Sequence, residues 1–220
     1  MATKSGAGTV LLLHGFTHTG ASWDPVVAAL GERSRVLTPD IRGHGAASGA
    51  EPVSLEAVIE DLRSLVGHEP VVLAGYSMGA RLALHATLAM PSRIERLVMI
   101  GGSPGIADAD EREGRRRADE QLAAELQGLS IEALAARWAS VTPVLAGQPP
   151  DVAAAAHADR LRSTPGGLAR ALRGLGTGAL PSLWARLGEV TVPVTLVVGE
   201  HDAKFRDIAE QMAPRFGRPA

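Results

Sequence analysis

Five short apolar runs alternate with helical stretches along this chain, and that alternation constrains its fold more than any other feature. Thr9–Leu13 is almost continuously apolar, as are residues 70–74, 97–100 and 194–198; residues 35–38 form a shorter run stopped by Pro39. Unbroken apolar runs of this length mark strands buried on both faces, not the alternating pattern of a half-exposed sheet. Between them lie amphipathic helices. The clearest places Leu55, Val58, Ile59, Leu62, Leu65 and Val66 on one face, with Ser54 as N-cap. Strand–helix alternation predicts an α/β fold, a mostly parallel sheet with helices on both faces. Ligands of such sheets gather at the carboxyl ends of the strands.

Residues from 105 to about 187 interrupt the alternation. They carry no strand pattern and are helical in composition, punctuated by glycine and proline around 147–150 and 164–167. They read as a helical cap inserted over the strand ends, inside a single domain spanning residues 1–220. The 220 residues are enough for a sizeable core without metals or disulfides. With 22 basic and 24 acidic side chains, the charge gives no attraction for nucleic acid or an anionic membrane. The absence of cysteine excludes thiol catalysis and thiolate metal sites. No run approaches the roughly 20 apolar residues of a membrane span. Residues 1–5 lead straight into the first strand with no signal-peptide core, so the expected location is cytoplasmic. No metal-ligand cluster or phosphate-binding loop is present, and no cofactor is implied.

The chemistry begins at Gly75-Tyr76-Ser77-Met78-Gly79. A G-x-S-x-G string alone says little. Here it joins the end of a buried strand to the start of a helix, the context that a nucleophile elbow requires. Ser77 is the candidate catalytic residue. His14-Gly15-Phe16 follows the first strand. In such an arrangement the backbone N–H groups of Phe16 and Met78 form an oxyanion hole, and the His14 side chain braces the loop. The glycine-bounded loop from Asp40 to Gly45 reads as structural. Asp202 ends the last strand, where the orienting acid of a Ser…Asp…His triad falls in chain order; it also suits a helix N-cap. Arg81 stands in the first turn after the elbow, where the helix dipole disfavours a cation. Binding an anion at the strand ends would explain it, since arginine pairs bidentately with carboxylates.

Together the elbow, the loop after the first strand, the Asp40–Gly45 turn and the late strand-end aspartate resemble the α/β-hydrolase superfamily. Four segments, 75–81, 101–105, 172–178 and 199–205, narrow the resemblance to the 2-succinyl-6-hydroxy-2,4-cyclohexadiene-1-carboxylate synthases of menaquinone biosynthesis. The resemblance implies a lyase. Ser77, activated by a His–Asp pair, would take a proton alpha to a succinyl carbonyl, the oxyanion hole would hold the enolate, and pyruvate would leave from an enolpyruvyl ether. It also implies a small, multiply anionic substrate bound by Arg81, Arg115 and Arg162, with Trp138 in the pocket. Read from the residues alone, Arg115 belongs with Arg112, Arg116 and Arg117 to a solvated helix with i,i+4 pairs, and Trp138 suits packing between cap helices.

The seven histidines are His14, His18, His44, His68, His85, His157 and His201, and none follows Asp202. Relative to the family pattern the chain lacks a final strand, its histidine and a closing helix. His18, in the oxyanion loop, is the nearest substitute; His201 is expected to point away from Asp202, and His68, His85 and His157 to be solvated or packed. The strand at 194–198 is expected to form a sheet edge through which copies of the chain self-associate. A carboxylic-ester hydrolase with an acyl-Ser77 intermediate and a catalytically impaired form remain alternatives.

Overall fold

The computed structural model describes residues 8–141 and 147–217; residues 1–5 therefore lie outside the described part. Five strands form one sheet: β1 (Thr9–Leu13), β2 (Arg35–Leu37), β3 (Val71–Tyr76), β4 (Ile94–Ile100) and β5 (Val194–Val197). Their order is β2-β1-β3-β4-β5 and every pair is parallel. The strand boundaries differ from the apolar runs by a few residues, because the ladder extends wherever backbone pairing continues. β4 starts at Ile94 although Glu95 and Arg96 are polar.

The alternation of side chains along each strand sorts the core into two layers. Leu11, Leu13, Leu73, Leu97 and Met99 are fully buried with residues of α2 (Leu55–Val66), α3 (Met78–Ala89) and α8 (Ala203–Met212). On the opposite face Leu12 and Ala74 pack with Trp23, and Val27 of α1 (Asp24–Leu30) joins them. Ser54 caps α2 as expected, accepting a hydrogen bond from Ala57 N–H at 3.3 Å. Leu65 departs from expectation. It is 38% exposed, while Val58, Leu62 and Val66 are buried, so Leu65 lies at the rim of the buried face and not within it.

Between β4 and β5 the described residues hold no strand. They form α4 (Ala109–Gln127), α5 (Ile131–Val141), α6 (Pro150–Arg160) and α7 (Pro165–Leu175), then a short 3-10 helix, Trp184–Glu189. Ala123, Leu126, Leu134, Leu168, Ala169 and Leu172 make a second core among these helices, and Phe16 from the β1 loop packs against it. β5 bonds only to β4 among the described residues and is therefore at one end of the sheet, with Val197 43% exposed. Among the described residues no helix is long and apolar enough to cross a membrane, and no group of His, Asp and Glu is placed to hold a metal ion.

Candidate active site

Ser77 sits between β3 and α3 with φ 52° and ψ −107°, a left-handed conformation that non-glycine residues rarely adopt. Its N–H donates to Ile100 O at 2.9 Å, and its carbonyl accepts from Arg81 N–H at 3.2 Å. The turn is too tight for larger neighbours. A Cβ on Gly75 would come within 2.3 Å of Gly79 O, and one on Gly79 within 2.1 Å of Leu13 O. These contacts explain why small residues flank the serine. Strain held by such close packing is a mark of functional sites.

Around Ser77 lies a cavity of 320 Å³. Phe16, Met78, Arg81, Arg115 and Trp138 all line it, so six of the eight residues singled out from sequence, Ser77 included, meet there. Met78 N–H is at the first position of α3, where no intrahelical acceptor exists. Among the described residues neither it nor the Phe16 N–H donates a hydrogen bond. The Phe16 ring is fixed edge-on against Trp138, with centroids 5.1 Å apart, and against His44 at 5.6 Å. His14 braces the loop as expected. It is fully buried, and its Nε2 accepts from Ile41 N–H at 2.9 Å. The Asp40 turn is structural as well: Asp40 accepts from Gly20 N–H and Ala46 N–H, both at 2.7 Å.

Two guanidinium groups enter the cavity. Arg81 Nε is buried without a hydrogen-bond partner among the described residues. Burial, with the nearby Arg115 charge adding and Asp119 opposing, pushes the Arg81 pKa down to about 10, so the group stays cationic at neutral pH. Arg115 Nε donates to Asp119 Oδ1 at 2.7 Å, one helical turn along α4. Asp119 is buried and also accepts from Gly178 N–H at 3.3 Å. The sequence assigns no site role to Asp119, Lys204 or Trp184; Trp184 and Lys204 line the cavity, and Trp184 Nε1 donates to Gly105 O at 3.1 Å. The Arg115–Asp119 spacing is a usable signal for the first and the segment 199–205 contains the second, but nothing local marks Trp184.

The remaining two candidates stand elsewhere. Asp202 does not line the Ser77 cavity. It caps α8, accepting from Phe205 N–H at 3.1 Å, and its charge helps burial raise the Tyr76 pKa. Arg162 does not line the Ser77 cavity either: its side chain is 64% exposed, 3.9 Å from Asp159, and borders two other cavities, while Arg160 is buried at 1% exposure. One of those cavities, 740 Å³, lies between residues 21–26 and α6 and is lined by His18 and Tyr76. Adjacent residues Tyr76 and Ser77 thus face different cavities. His18 Nδ1–H donates to Asp159 Oδ2 at 3.0 Å, away from Ser77. His85 is packed rather than solvated, and His201 is exposed.

A strained serine at a strand–helix elbow, a loop after the first strand that lines the same cavity and helices that cover it belong to one known architecture, and the model of the alpha/beta hydrolase family matches residues 10–220. The chain belongs to the alpha/beta hydrolase family. Within the family it resembles 2-succinyl-6-hydroxy-2,4-cyclohexadiene-1-carboxylate synthase of Escherichia coli O1:K1. The two are 30% identical over 230 residues, covering 99% of this chain and 89% of that protein. It is 34% identical over 125 residues to the chloroplastic protein PHYLLO of Arabidopsis thaliana, but spans only 7% of that protein's length. Among solved structures, MenH from S. aureus superposes with a TM-score of 0.91 at 29% identity, covering 100% of this chain and 85% of the other. The five parallel strands and flanking helices of this alpha/beta hydrolase thus agree with the sequence expectation of its fold.

Proposed function

We infer that this alpha/beta hydrolase is a carbon–oxygen lyase of menaquinone biosynthesis, eliminating pyruvate from 2-succinyl-5-enolpyruvyl-6-hydroxy-3-cyclohexene-1-carboxylate. One observation carries the reading: the elbow serine shares a 320 Å³ cavity with two arginines, and one of them has a buried, unpartnered Nε. A buried guanidinium with no partner beside the serine, and a second one held by Asp119, suit a substrate with carboxylates, because arginine forks match carboxylates and charge-assisted hydrogen bonds are the strong ones. The full-length likeness to a synthase of that name supports the same reading.

In this reading Ser77 reacts as the alkoxide: its Oγ takes the proton alpha to the succinyl carbonyl, becomes the hydroxyl, and later returns a proton to the departing enolate. The carbonyl oxygen gains negative charge and is held by the N–H groups of Phe16 and Met78, donors already in place and unused by the fold. The C–O bond to the enolpyruvyl group then breaks, and the departing enolate takes up a proton to give pyruvate. Arg81 and Arg115 hold carboxylates of the substrate, and Trp138 covers it. Asp202 stands at the strand-end position of the acid that orients a histidine, and no histidine follows it within the 220 residues. Activity of this chain therefore tests whether Ser77 acts here without one. Triad-less enzymes keep roughly a thousandfold acceleration over water.

The deciding assay is pyruvate release from the enolpyruvyl substrate by the purified chain, compared with Ser77→Ala. The lyase reading expects release that vanishes in the variant. Release unchanged by Ser77→Ala would remove Ser77 from the mechanism, and a burst of acyl-enzyme from an activated ester with no pyruvate release would favour the hydrolase.

A further inference from the structure

The cap touches the oxyanion loop through one buried acid. Asp159 lies in the last turn of α6, 6% exposed, and its carboxylate accepts hydrogen bonds from three donors of the β1 loop. They are His18 Nδ1–H at 3.0 Å, Thr19 N–H at 3.0 Å and the Thr19 hydroxyl. The partners are about 140 residues apart in the chain. A carboxylate suits this place poorly on two counts. The carboxyl end of a helix repels negative charge, and burial of an acid is unfavourable unless it is fully hydrogen-bonded. The three donors outweigh both effects, since burial raises the Asp159 pKa but the bonds from His18 and Thr19 leave it below the ordinary range.

The segment held by Asp159 directly follows Phe16. Thr17 has φ 69° there, an outlier for a β-branched residue, and its buried hydroxyl has no partner among the described residues. A residue in that conformation persists only where its surroundings over-determine it. On one side His18 N–H donates to Gly15 O at 3.2 Å, and the same carbonyl takes the His14 Nδ1–H at 2.9 Å. On the other side the only side chain from the cap hydrogen-bonded to residues 17–19, among the described residues, is Asp159. His18 and Asp159 do not form a surrogate base pair for Ser77, since His18 faces the neighbouring cavity.

We propose that Asp159 is a positioning residue: by taking three hydrogen bonds from His18 and Thr19 it fastens cap helix α6 to the oxyanion loop and holds the Thr17 kink next to Phe16. Its bearing on catalysis rests on the reading of Phe16 N–H as an oxyanion donor. Opening of α6 would release the loop, so the oxyanion hole is complete only when the cap is seated.

The test is amide hydrogen exchange in the full chain, read in peptides covering residues 14–19, with peptides of β3 and α3 as internal controls. Asp159→Leu is expected to speed exchange in 14–19 by at least about tenfold, the scale of a lost charge-assisted hydrogen bond, with the controls unchanged. His18→Asn keeps a donor near the Nδ1 position and should exchange like the wild type, whereas His18→Leu should not; this pair decides the matter if Asp159→Leu does not fold. Unchanged protection of 14–19 in both leucine variants would overturn the latch. A separate measurement, phosphonylation of Ser77 by a small fluorophosphonate, reports the oxyanion reading. Slower labelling alongside faster exchange supports both. Faster exchange with unaltered labelling counts against Phe16 as oxyanion donor and leaves the latch standing on the exchange data.

Discussion

The imidazole of His14 accepts a hydrogen bond from Ile41 N–H at 2.9 Å through Nε2, while its Nδ1–H donates to Gly15 O at 2.9 Å. Both ring nitrogens are therefore committed, and only the neutral ring can make both bonds. Burial is the chief cause that pushes the His14 pKa down to about 4, and burial with the neighbouring His14 pushes His44 to about 3. Unfolded histidine titrates near 6.5, so below about pH 6.5 the unfolded chain takes up protons that the native chain refuses. Stability should be complete above that pH and fall on acidification, by up to about 1.4 kcal/mol per pH unit for each of the two rings. Urea titrations between about pH 7 and about pH 5, above most carboxylate titration, would show the slope; a flat profile there would mean that the rings are not buried neutral.

Arg81 sets binding against stability. Its guanidinium is largely buried, and its Nε is unpartnered among the described residues. Arg81→Met keeps an apolar stem and removes the charge, so the chain should become more stable by about 1–2 kcal/mol, in line with the replacement of buried charges elsewhere. Affinity for a multiply anionic substrate should drop by about 1.5–3 kcal/mol, and affinity for a neutral ester far less. Thermal melts and substrate titrations check the two halves. Equal losses for both substrates would make Arg81 structural.

At the elbow, Ser77→Gly relieves the left-handed backbone at φ 52° and should raise stability by about 1 kcal/mol while abolishing turnover. Gly79→Ala acts in the opposite direction. Its Cβ would meet Leu13 O at 2.1 Å, and β1 and α3 would have to part. A loss of about 3 kcal/mol or more is expected. Denaturant midpoints of the two variants should therefore lie on opposite sides of the wild type.

β5 is paired on one side only among the described residues, and Val197 is 43% exposed on it. We expect the 220-residue chain to self-associate through this strand. Val197→Lys, a charge of the kind that blunts natural sheet edges, should shift sedimentation toward monomer without altering the fold. An unaltered distribution would place any association elsewhere.

What could be read without coordinates was what is local in the chain. Ser77 was legible because strand, turn and helix follow one another within a dozen residues. Arg81 was legible because it lies one helical turn beyond. Asp119 had a signal in its i,i+4 spacing from Arg115, although only the fold shows that it is buried. The choice between Arg160 and Arg162 had none. Arg160 ends α6 and Arg162 stands in the turn just beyond it, and packing alone decides which is enclosed. Asp159 and His18 are polar residues 141 positions apart, and no pattern in either neighbourhood joins them.

The placement of Arg81 four residues after Ser77 on one rigid helix has a consequence for how this site can change. Four residues advance about 6 Å along the axis, and the Arg81 N–H bond to Ser77 O ties the two backbones together. The offset between the Ser77 and Arg81 positions is thus a ruler cut into the sheet-and-helix scaffold. Arg115 and Trp138 ride on α4 and α5, which a different cap sequence can shift. On the proposed lyase reading, substitutions in the cap would retune what the far end of a substrate looks like, whereas the spacing between its reacting carbon and its first carboxylate would be inherited with the elbow itself.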